Sequence, residues 1–116
     1  MARRATDHLQ DVLEAIGAIF SYTRKGEKAF QRNPMLRDAV AARLIQIGQS
    51  VKDARAEGLD LDRLQPAIPW RNIAGMRDRL AHKYALLDAD IVWSVVENDL
   101  PKLRAAASRI LKPPSK

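Results

Sequence analysis

The stretch Met76-Arg77-Asp78-Arg79-Leu80-Ala81-His82-Lys83-Tyr84 brings an arginine, a histidine and a tyrosine into eight residues at the end of an apolar helical pattern. Arginine offers a permanent charge and a planar fork of donors suited to a phosphate. Histidine, with an ordinary pKa of about 6.5, gives or takes a proton near neutrality. Tyrosine adds a hydroxyl and a stacking face. Together they meet the needs of phosphodiester cleavage in RNA: the 2′-hydroxyl must lose a proton, the phosphorane must be stabilised, and the departing 5′-oxygen must gain a proton. None of these steps requires a metal. The one other histidine is His8, there is no cysteine and aromatic residues are few, so no second cluster is equipped for proton, phosphate or metal chemistry.

The spacing constrains how these groups can meet. On a continuous helix Arg77 and His82 stand about 500° apart, 140° off a common face, whereas Arg77 and Tyr84, at about 700°, nearly align. Convergence therefore needs the helix to end near Ala81, turning His82 and Tyr84 back towards Arg77, or needs residues from a second copy. The second route has its own argument, because cleavage wants both a base and an acid and each chain supplies one well-placed histidine. A purely structural reading stands beside these. Arg79, His82 and Lys83 near a helix end are what the macrodipole favours, and Tyr84 can be a core residue with its hydroxyl at the surface.

The elements that position the cluster read as helices almost throughout. Leu9, Val12, Leu13, Ile16, Ile19 and Phe20 recur at three and four, predicting a first long helix from Ala5 to about Tyr22. Gly26 and Asn33-Pro34 bracket EKAFQR, a connector of one or two helical turns. A second long helix runs from Pro34 to about Glu57 on the stripe Leu36, Val40, Leu44, Ile47, Val51 and Ala54, with Gly58 as its stop. Ala41, Ile45 and Gly48 lie off that stripe, forming either a widened core face or a place where another helix or a second subunit approaches closely. GLDLDRLQPAIPW carries two prolines in four residues and reads as an irregular connection. Helix resumes near Trp70 and continues towards Ala81, followed by a turn from His82 to Leu87. Asp88 then caps a last helix whose stripe is Ile91, Val92, Val95, Val96, Leu100 and Leu103. Pro101 predicts a kink near Glu97 or a break near Asp99, and the tail from Lys112 to Lys116 reads as disordered. The expected fold is all-α, an antiparallel bundle of three long and two shorter helices.

Composition sets the outer bounds. The 116 residues suit one domain, taken as 1–111 with 112–116 as tail. With 20 Lys and Arg against 14 Asp and Glu the formal charge is +6, which favours polyanionic partners without choosing among RNA, DNA and acidic proteins. Absence of cysteine excludes a disulfide framework and thiolate metal sites and fits a reducing compartment. No signal-peptide core and no apolar run near the roughly 18 residues of a membrane span are present, so a soluble, cytoplasmic protein is expected. Arg3, Arg4, Arg24, Lys25, Lys28 and Arg32 can grip RNA independently of sequence, although each taken singly reads as a solvated charge.

Taken over nearly its whole length, the chain resembles the HEPN superfamily and, within it, the HepT-like ribonuclease toxins. Their mark is an arginine, a polar residue, a few more residues, then His-x-Tyr. Here that is Arg77, Asp78, His82 and Tyr84. The flanks agree: Ile68-Pro69-Trp70 and Ile73-Ala74-Gly75-Met76 upstream, Asp88 to Trp93 and Asp99-Leu100-Pro101 downstream, and Ala42-Arg43-Leu44 to Gly48 in the second long helix. One departure is Gln49, where the family pattern has an acidic residue after Ile-Gly.

The resemblance implies a HEPN-like fold and a metal-independent endoribonuclease, without cofactor, working as a homodimer with its site in a cleft between protomers. His82 would serve as acid and base, Arg77 would bind and stabilise the phosphate, and Asp78 and Tyr84 would orient the site. It also implies a toxin–antitoxin pair in which a small MNT-type nucleotidyltransferase silences the toxin by adenylylating the motif tyrosine, here Tyr84. A nucleotide on that hydroxyl places negative charge and bulk where an RNA phosphate must sit. The alternatives are a HEPN module that binds RNA or nucleotide without cutting, which Gln49 favours, and a helical scaffold partner of a nucleotidyltransferase.

Overall fold

Helix starts and stops in this chain are written mostly in polar caps and glycines. In the computed structural model, which describes residues 4–83 and 88–112 and only the backbone of 81–83, α1 spans Ala5–Tyr22. The Asp7 carboxylate accepts the Arg4 N–H at 3.0 Å where α1 begins. It ends where the Thr23 hydroxyl and N–H both donate to the Ile19 carbonyl, at 2.8 and 2.9 Å, and Gly26 at φ +94° turns the chain. The connector is α2, Glu27–Arg32. Asn33 caps α3, Pro34–Ala56, by accepting the Leu36 N–H at 3.2 Å, with Pro34 in the first turn where a missing donor costs nothing. Gly58 at φ +96° ends it, a conformation that L side chains rarely adopt.

The connection after α3 contains one helical turn, α4 (Leu61–Leu64), where an irregular path was expected. Asp60 caps it by accepting the Arg63 N–H, and Leu61 is buried against the core, so a local cap and one apolar anchor suffice. The Trp70 indole N–H donates to the Gln65 carbonyl at 2.9 Å and pins the loop to the start of the next helix. That helix, α5, runs Trp70–Lys83 and not to Ala81. His82 and Lys83 lie inside it, because Ala-His-Lys contains no residue that breaks a helix. Asp88 caps α6 (Ala89–Ser94), accepting the Asp90 N–H at 2.8 Å. A wide π turn, Val95–Asp99, then leads into α7 (Leu100–Leu111), with Pro101 in its first turn. The expected kink at Glu97 or break at Asp99 is thus one widened turn holding both residues.

α3 is the shared element. It packs against α1 on one flank and α5 on another, while α7 packs on α1. A continuous core of Leu9, Val12, Ile16, Ile19, Val40, Leu44, Ile47, Val51, Trp70, Leu100 and Leu103 joins these helices. Phe30 of α2 reaches the same core and meets the Trp93 ring at 5.4 Å between centroids, while Gln31 donates to Asp90 at 2.6 Å. The result is an all-α helical bundle with no strand among the described residues, and no described helix is long and apolar enough to cross a membrane. The expected tail lies, beyond Lys112, outside the described residues, as does the turn over 84–87.

Candidate active site on α5

α5 is amphipathic in an uneven way, and its register separates three faces. Trp70 and Leu80 are buried, and the helix crosses α3 where Gly48 sits. An ideal Cβ on Gly48 would lie 2.9 Å from both the Arg77 nitrogen and the Ile73 carbonyl oxygen. The off-stripe glycine of α3 is therefore the point where α5 of the same chain comes close. Ala41, seven residues earlier and almost on the same face, is buried too.

The second face is polar. Arg71 and Asp78 are exposed, and with position 82 they fall within about 40° of one another around the helix. Arg77 starts about 100° away, beside the α3 crossing, but its guanidinium Nη1 donates to Asp78 Oδ1 at 3.0 Å. The two side chains are 45% and 62% exposed, so this ion pair orients more than it stabilises. The bend in the Arg77 side chain moves its charge from the crossing towards the Asp78 face, which shortens the 140° gap noted from spacing alone. Position 82 is one turn beyond Asp78 on α5. The His82 side chain and all of Tyr84 lie outside the described residues.

The third face borders an apolar groove between α5 and the α6–α7 segment. One cavity of about 250 Å³ is lined by Ile68, Ile73, Met76, Leu100 and Leu103 with Arg79 and Lys102. A neighbouring one of about 240 Å³ involves Leu44, Leu80, Ile91 and Val95. Neither is lined by Arg77 or Asp78, so these two concavities do not coincide with the candidate site. Arg79 instead donates to the Asn72 carbonyl at 2.9 Å, folded back along its own helix. Its role here is on the groove side, more specific than the macrodipole partner that its position suggested.

Gln49, the departure from the family pattern, donates its amide to Asp53 Oδ1 at 2.8 Å one turn further along α3. Of the basic residues read as an RNA grip, Arg24, Lys25, Lys28 and Arg32 are exposed on the α1–α2 turn and α2, and Arg4 is exposed beside Asp7. Arg3 lies outside the described residues. Pro34, where α2 hands over to α3, is fourteen residues or about 20 Å of helix rise from Gly48, so Arg24, Lys25, Lys28 and Arg32 stand apart from Arg77, and Arg4 stands apart from them at the other end of α1. Arg71, which lies outside the motif, shares the polar face of α5 through the 71, 75, 78, 82 spacing. Among the described residues no three His, Asp or Glu side chains gather as metal ligands would.

Comparison with known proteins carries the assignment further. A "Probable ribonuclease HepT" of Thermococcus cleftensis is 35% identical over 113 residues, covering 97% of this chain and 100% of the relative. A Methanocaldococcus jannaschii protein whose name joins gamma-glutamylcyclotransferase to a provisional RNase is 36% identical over 106 residues, 90% of this chain and 46% of its own length. Another protein of that organism, provisionally named an RNase, is 32% identical over 90% of this chain and 84% of its own. No solved structure matches the chain. The family model described as Ribonuclease HepT-like matches residues 12–110, which contain the α3–α5 crossing, Arg77, Asp78, His82 and Tyr84, and the chain belongs to this HepT-like family.

Proposed function

We propose that the protein is a metal-independent endoribonuclease, the toxin of a toxin–antitoxin pair, acting as a homodimer on RNA. The observation that carries this reading is the exposed Arg77–Asp78 pair on α5, one turn before position 82, in a chain whose family match includes the whole motif. A base removes the 2′-hydroxyl proton, the 2′-oxygen bonds to phosphorus, and the phosphorus–5′-oxygen bond breaks as an acid protonates the leaving oxygen. The products are a 2′,3′-cyclic phosphate and a 5′-hydroxyl. Arg77 neutralises charge on the phosphorane and Asp78 holds its guanidinium fork in place. Arg71, on the same face, guides the next phosphate.

α5 continues through Lys83, so a helix end near Ala81 is not what gathers the motif. The second copy is the better route. His82 of one protomer takes the proton and His82 of the partner subunit returns one, in a cleft between the two α5 helices. The outer face of α3, where Asp38, Ala41, Ala42 and Ile45 line a shallow depression, offers the second protomer a surface next to the crossing. Tyr84 is the residue that a nucleotidyltransferase antitoxin adenylylates, placing an anion in the path of the RNA phosphate.

The test is cleavage of total and transfer RNA by purified protein in excess EDTA, wild type against His82→Ala, with the product ends mapped. Cleavage that survives chelation, leaves a cyclic phosphate or its hydrolysis product and disappears in the variant supports the reading. Wild-type protein that is folded, unmodified at Tyr84 and inert sinks it, and retained RNA binding would then identify a non-cutting module. Intact mass after co-expression with the nucleotidyltransferase should show added adenylate on wild type and none on Tyr84→Phe.

A further inference from the structure

We infer that Gly48, on α3, is a positioning residue for Arg77, so that the helix crossing it permits sets where the phosphate-binding guanidinium stands; this rests on the function proposed above. Three glycines lie inside long helices, where glycine is disfavoured relative to alanine. A Cβ on Gly17 would meet nothing within 4 Å, and one on Gly75 would meet only the far end of the Arg79 side chain. A Cβ on Gly48 would fall 2.9 Å from the Arg77 nitrogen, 2.9 Å from the Ile73 carbonyl oxygen and 3.3 Å from the Arg77 Cβ. Those first two atoms are donor and acceptor of one hydrogen bond of the α5 ladder. Neither can yield alone, because moving either breaks the helix at that turn.

The contact therefore acts on the residue from which the catalytic side chain springs. Ordinary Cβ contact begins at 3.4 Å, so a methyl group at position 48 requires α5 to retreat by 3.4 − 2.9 = 0.5 Å at Arg77. Trp70, buried and bonded to the Gln65 carbonyl, holds the start of α5 in place, so the retreat becomes a tilt that is felt beyond Arg77. A misplacement of 1 Å costs on the order of a hundredfold in rate, which scales to about tenfold here. The loss falls on kcat more than on KM, because the arginine's main partner is the charge that develops in the transition state.

The experiment compares wild type, Gly48→Ala and Gly17→Ala in steady-state RNA cleavage, normalised to folded protein by circular dichroism, together with a crystal structure of Gly48→Ala. A fall of about tenfold in kcat at near-normal KM, with α5 displaced at Arg77 and Gly17→Ala unaffected, supports the inference. Wild-type kcat in folded Gly48→Ala overturns it, as does a loss of kcat with α5 unmoved. Should Gly48→Ala not fold, the change is repeated in the Gly17→Ala background; failure there also overturns it, since the glycine would then serve the core and not the site. If wild type itself cleaves no RNA, the proposed function is what fails. The variant's structure then decides this inference alone, with a shifted Arg77 supporting it and an unshifted one overturning it.

Discussion

Replacing Arg77 by alanine should separate activity from stability. The Arg77–Asp78 pair is a single 3.0 Å contact between side chains 45% and 62% exposed. Exposed pairs of this kind contribute about 0.2–1 kcal/mol. Alanine retains the Cβ that packs over Gly48, and it is at least as good a helix former as arginine, which offsets part of the loss. The net change in folding free energy should stay within about 1 kcal/mol, a shift of a few degrees in the unfolding midpoint for a chain of this size. Against that, removing one preorganised donor to a developing oxyanion costs on the order of 10²–10³ in rate, or about 2.7–4 kcal/mol of barrier. Single-turnover RNA cleavage and thermal unfolding by circular dichroism, run on the same preparation, read both quantities. Arg77→Lys should recover part of the activity, since it keeps the charge and loses the planar fork. Cleavage within a fewfold of wild type would refute the assignment of Arg77. A midpoint lowered by ten degrees or more would refute the energetic reasoning, because the side chain would then be supporting the fold.

Further outcomes follow from packing and capping. Trp70→Phe deletes the indole bond to the Gln65 carbonyl and leaves a void at a site with no solvent exposure, and should cost about 2–3 kcal/mol in denaturant unfolding; less than 1 kcal/mol would mean that the loop is not held there. Gly17→Ala, whose new methyl group meets nothing, should stabilise by about 0.5–1 kcal/mol, and destabilisation would reveal a neighbour at that position in the assembled protein. Asn33→Ala removes the acceptor for the Leu36 N–H and should lower stability by about 1 kcal/mol, with no change meaning that water replaces the cap.

The parts of the fold that were legible from residues were those fixed by local chemistry. Asn33-Pro34 and Gly58 mark both ends of α3, and the three-and-four stripe marks α1, because caps, missing donors and positive φ act within a few residues. The extent of α5 was not legible. Ala81, His82 and Lys83 contain no breaker, and the helix continues through them where a turn was expected from His82. Pro101 announced a disturbance, but its form needed the structure. A proline ring clashes with the carbonyl four residues earlier, here Glu97, and the Val95–Asp99 turn widens around that residue instead of breaking. Within the site, periodicity put Arg77 well away from the His82 face. A side chain long enough to bend to its neighbour Asp78 is invisible to a calculation that ends at Cβ.

The same geometry explains why the motif sits on this helix. α3 is buried on two flanks, Ile47, Val51 and Ala54 in the core and Gly48 under α5, so it is among the least mobile supports that the fold offers. α5 rests on that support near its middle and is anchored at Trp70, while Arg71 and Asp78 remain exposed on its outer side. In the proposed reaction the guanidinium must meet a developing charge to within a fraction of an ångström, so it would gain from starting at a rigid backbone crossing, and a substrate as large as RNA would need the open face beside it. The absent side chain at position 48 joins the two requirements of the proposed reaction, since close approach of the helices supports Arg77 from beneath and leaves its side chain 45% exposed.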